Sequence, residues 1–174
     1  VAIAIGVVAT LVAACESGPT LDGYDAGLGR SPDGDLMLIG GPCSSEKVTA
    51  LAIVEVGDDG AEDPVIRIEL DRPTNAWDVV VPLDPLDLDQ PGMVVALFDE
   101  DRYSLALDST DGSFQVLTET VFLPDGSTDR FLVPFTPGLL GANEAFDFDV
   151  LIEDATTYSC ARGDSKPWRD AFER

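Results

Sequence analysis

Between Asp35 and Cys160 the chain is a series of short apolar runs divided by turn residues. The runs are "DLMLIG", "KVTALAIVEV", "PVIRIEL", "WDVVVPL", "GMVVALFD", "YSLALD", "SFQVLTETVF", "RFLVPF" and "FDFDVLIED". Their enrichment in Val, Ile, Leu and Phe, and their spacing, predict nine strands. Ile66, Ile68 and Leu70 alternate with Arg67 and Glu69, while Phe146, Phe148, Val150 and Ile152 alternate with Asp147, Asp149 and Glu153. Such strands bury one face and wet the other. "ALAIVEV" and "MVVALF" are apolar on both faces and are expected in central, well-covered positions. A helical period is hard to find, and "GLLGANEAF" is the one weak candidate.

The punctuation agrees with a strand-rich chain. "DDG", "TDG" and "PDG" set a glycine after an aspartate that can close an Asx-turn. Pro82, Pro85 and Pro134 are expected at strand ends or edges, because proline cannot donate to a ladder. The expected fold is all-β: an antiparallel β-sandwich of about seven to nine strands over residues 35–160. It resembles immunoglobulin-like secreted modules in architecture only. Trp77 lies between Cys43 and Cys160, but those cysteines are much too far apart for the immunoglobulin signature.

Ahead of the strands lies a different pattern. Residues 1–14, "VAIAIGVVATLVAA", carry no charge and are too short for a membrane span of about 20 residues. They match the apolar core of a secretory signal peptide, incomplete because no Lys or Arg precedes it. Ala13 and Ala14 precede Cys15, and the "VAAC" of residues 12–15 resembles the lipobox of bacterial membrane lipoproteins. That resemblance implies cleavage before Cys15, a diacylglyceryl group on its thiol and acylation of the new amino terminus. Two or three acyl chains anchor stably where one is marginal. Residues 15–34, rich in Gly, Pro, Ser and Asp, are expected to form a flexible tether. With Cys15 lipidated, Cys43 and Cys160 are the remaining thiols, and in an oxidising exterior they are expected to form a disulfide. Membrane attachment on the extracytoplasmic face and a monomeric domain follow as expectations.

Composition narrows the chemistry. The chain has 174 residues, 33 acidic against 10 basic, for a net charge of −23. Phosphate binding needs clustered Lys and Arg, so nucleic acid is excluded as a partner. There is no histidine, which removes the commonest general base and metal ligand together. No cofactor and no enzymatic activity are expected. Asp84, Asp87 and Asp89, with Asp99, Glu100 and Asp101 further on, are weak candidates for a calcium-dependent ligand site, and solvated turns are the favoured alternative. A carboxylate pair for glycoside hydrolysis ranks lower, since nothing singles out two residues. The "RGD" at Arg162–Asp164 is read as chance. Residues 161–174 hold four of the ten basic residues and form a basic tail, in which Trp168 is a weak candidate for partner binding. The expected role is a non-catalytic binding or structural module.

Overall fold

A computed structural model describes residues 26–40, 47–75, 78–87, 89–122, 125–142, 144–147 and 150–152. Cys15, Cys43, Cys160, Trp77, Trp168 and the basic tail lie outside the described residues, as does most of the expected tether. Among the described residues, ten strands form two antiparallel sheets. The first has the order β10(Val150–Ile152), β9(Ala145–Asp147), β1(Ala26–Arg30), β2(Leu36–Gly40), β5(Val80–Asp84). The second has the order β6(Met93–Phe98), β4(Glu62–Asn75), β3(Lys47–Val56), β7(Phe114–Phe122), β8(Ser127–Pro134). The all-β sandwich expected from the sequence is therefore the observed architecture.

One continuous core lies between the sheets. Leu28, Leu36, Leu38, Val81 and Leu83 of the first sheet meet Val48, Leu51, Ile53, Ile66, Ile68, Val116 and Val133 of the second. Phe135, just past β8, is completely buried in it. The turns form as their chemistry dictates. Oδ1 of Asp59, Asp111 and Asp125 accepts from the backbone N–H two residues on, at 3.0, 3.0 and 2.9 Å. Gly112 and Gly126 supply the positive φ, 76° and 73°, that these turns need. Pro82 lies on the edge strand β5, Pro85 follows it, and Pro134 ends the edge strand β8.

Four expectations are corrected. "YSLALD" is no strand: Glu100–Leu107 form the helix α1 between β6 and β7. Asp99 caps it by accepting from the Arg102 N–H at 3.2 Å, and Glu100 and Asp101 in the first turn suit the helix dipole. Tyr103 and Ala106, three apart, face the core while Leu105 faces water. Second, part of the expected tether is structure. Ala26–Arg30 pairs with both β2 and β9, and Leu28 joins the core. Third, "FDFDVLIED" divides into β9 and β10, which pair with each other antiparallel. Fourth, "MVVALF" is not central. It forms β6, the edge strand of the second sheet. The weak helical candidate holds one 3-10 turn, Pro137–Leu139.

Candidate interaction surface

The corner where β6 runs into α1 holds four of the five large apolar side chains that stand exposed among the described residues. Val94, Leu97, Phe98 and Leu105 are exposed by 53%, 39%, 39% and 65%. The register with β4 explains how. Val94 lies opposite Glu69 and Leu97 opposite Arg67, with a register shift between them at Ala96. That bulge lets two residues three apart share the outer face of the sheet.

Two rows of side chains cross this outer face. Leu97, Arg67, Ala52, Leu117 and Leu132 stand side by side on five adjacent strands, and Val94, Glu69, Ala50, Glu119 and Arg130 form the next row. The Arg67 guanidinium reaches over the central strand β3 to Glu119, at 2.8 and 3.3 Å, and touches Glu69 at 3.3 Å. Small Ala50 and Ala52 leave the room that this pair occupies, and both are buried beneath it. The Arg67 hydrogen bond holds the Glu119 carboxyl below its usual range, against a smaller opposing effect of burial. Arg130 approaches Glu119 at 3.7 Å and bonds Glu62 at 2.7 Å. Glu62 on β4 and Arg130 on β8 are separated by β3 and β7 in the sheet order, so this ion pair spans both strands. Beneath the ion pairs Ala52, Val54 and Leu117 make a small second cluster with Val56 and Leu132.

The corner itself is held firmly. The Tyr103 hydroxyl donates to the Leu83 carbonyl at 2.6 Å, tying α1 to β5 in the opposite sheet. Its ring meets Phe98 edge-on, with centroids 5.4 Å apart at 64°. Burial, aided by the nearby Asp84 charge, pushes the phenol well above its usual range, so it stays protonated. Arg102 turns back from α1 to bond Glu55 at 2.7 Å and Asp63 at 3.0 Å, joining the helix to the β3–β4 hairpin. An open recess of about 580 Å³ lies between Asp63 and Pro64 on one side and Leu97, Phe98 and the start of α1 on the other.

The Asp-rich segments are placed differently from a ligand set. Asp84 ends β5 and is exposed. Asp87 spends its carboxylate on its own loop, accepting from the Asp89 N–H and the Gln90 side chain, both at 3.1 Å. Asp99 is the helix cap. Among the described residues no three of His, Cys, Asp and Glu are grouped as they would be around a metal ion. No helix among them is long and apolar enough to cross a membrane. Comparison with protein-family models, curated proteins and solved structures finds no match for the chain.

The apolar pattern of Met93–Phe98 does not distinguish a covered strand from an open edge. A strand apolar on both faces is what a covered central strand needs, and also what a sticky edge presents.

Proposed function

We propose that the chain is a membrane-anchored, extracytoplasmic, non-catalytic binding module whose contact surface is the β6–α1 corner. The observation that carries it is the uncharged edge strand Met93–Phe98, with Val94, Leu97 and Phe98 open to solvent. Soluble proteins blunt such edges with charge, proline or cover, and an edge left apolar marks a place of association. Support for the anchor comes from "VAAC" at residues 12–15, after an uncharged run and before a polar one. The absence of histidine from all 174 residues supports a role without catalysis.

Site-specific cross-linking tests the surface in place. A photoreactive residue at Leu97 is compared with one at Asp129, an exposed position on the opposite edge strand β8. In intact membranes position 97 should give a discrete cross-linked species that position 129 does not. The same products from both, or none from position 97, would remove the corner as the contact surface.

A further inference from the structure

The hydrogen-bond phase of β6 shows which backbone groups look outward. Asp99 N–H bonds the Val65 carbonyl and Asp71 N–H bonds the Gly92 carbonyl, each at 2.9 Å. In an antiparallel ladder, bonded and non-bonded pairs alternate. Counting inward from Asp99 and from Gly92 through the register with β4, Val94 and Leu97 bond β4, while Val95 and Phe98 turn their N–H and C=O away from it; Met93 lies in the same phase, but its N–H already bonds the Gln90 carbonyl at 3.3 Å. Among the described residues no strand lies on that side. The outward groups of Val95 and Phe98 form a template for another strand, framed by the exposed side chains of Val94, Leu97 and Phe98.

Resting on the surface proposed above, we infer that β6 takes up an extended protein segment as an added strand, the segment being apolar along β6 and carrying Lys or Arg where it reaches Phe98. Charge selects this occupant. Asp99, Glu100 and Asp101 follow Phe98 directly, and the one cation among them, Arg102, is turned inward onto Glu55 and Asp63. A second copy of the chain is the wrong partner. Two molecules carrying −23 each repel, and two-fold pairing of β6 would lay Glu100 and Asp101 beside the Asp71 end of the other strand. The bulge at Ala96 also interrupts the template, so it suits one short ligand strand and resists endless stacking.

The test uses the full chain in detergent micelles and a displayed library of random decapeptides. Enriched peptides should lack central proline, favour Val, Ile or Thr, and carry Lys or Arg at one end. The best of them should slow amide exchange at Val95 and Phe98 in the unaltered chain. Its affinity should fall at least tenfold with Val95→Pro, which removes an outward donor from an edge strand and leaves the β4 bonds intact. It should also fall with Leu97→Lys. No enrichment, acidic winners, or no added protection at Val95 and Phe98 would overturn the added strand. If Leu97→Lys abolishes binding and Val95→Pro, still folded, does not, strand addition fails while the corner stands. Full binding by both variants would defeat the corner as well.

Discussion

Phe135→Ala should destabilise the sandwich by about 3–5 kcal/mol, the range for truncating a fully buried aromatic. Phe135 is 0% exposed, follows the edge strand β8, and is fixed by its N–H bond to the Phe114 carbonyl at 2.9 Å. It cannot be replaced by relaxation of loops, because strands of both sheets pack into the same cluster. Against a typical total of about 5–15 kcal/mol, that loss takes a large share of the stability. Urea unfolding should show a lower midpoint with an unchanged slope. Leu105→Ala is the matched control: at 65% exposure it should change stability by no more than about 0.5 kcal/mol. Equal effects of the two would mean that the described core is wrong.

Cys15→Ser should move the protein from the membrane to the soluble fraction. Of the three cysteines only Cys15 follows an uncharged run ending in small residues. Without the thiol there is no diacylglyceryl group, and the partition energy of its chains, about 0.8 kcal/mol per buried CH₂, is lost. The chain is expressed behind a complete signal, and membrane fractions and labelled fatty-acid uptake are measured. Unchanged partition and labelling would contradict lipidation at Cys15 and remove the anchor from the proposed role.

The sequence shows the sheets more readily than the corner. β3 occupies residues 47–56, as its apolar run indicates, and the Asp-Gly turns close as their side-chain chemistry requires. Ala26–Arg30 is hard to read as a strand, since "AGLGR" offers one large apolar side chain between two glycines. Pairing with β2 and β9 on either side, which is long-range information, makes it one. Helix α1 is a different case. Its signs were present as Asp99 before Glu100 and Asp101, and as the spacing of Tyr103 and Ala106. In the sequence the same acids fit a ligand set as well as a cap and a first turn, and the structure places them as the latter. The edge position of β6 is not local information at all. It follows from which strands pair, and "MVVALF" fits either a covered or an open place.

Residue-resolved amide exchange of the full chain, in micelles and without added ligand, tests the open edge most directly. Val95 and Phe98 should exchange nearly as fast as unprotected amides, while Val94 and Leu97, bonded to β4, and the central strand β3 exchange slowly. Protection at Val95 and Phe98 equal to that at Val94 and Leu97 would mean that another part of the chain already covers β6, and would contradict its role as a docking strand.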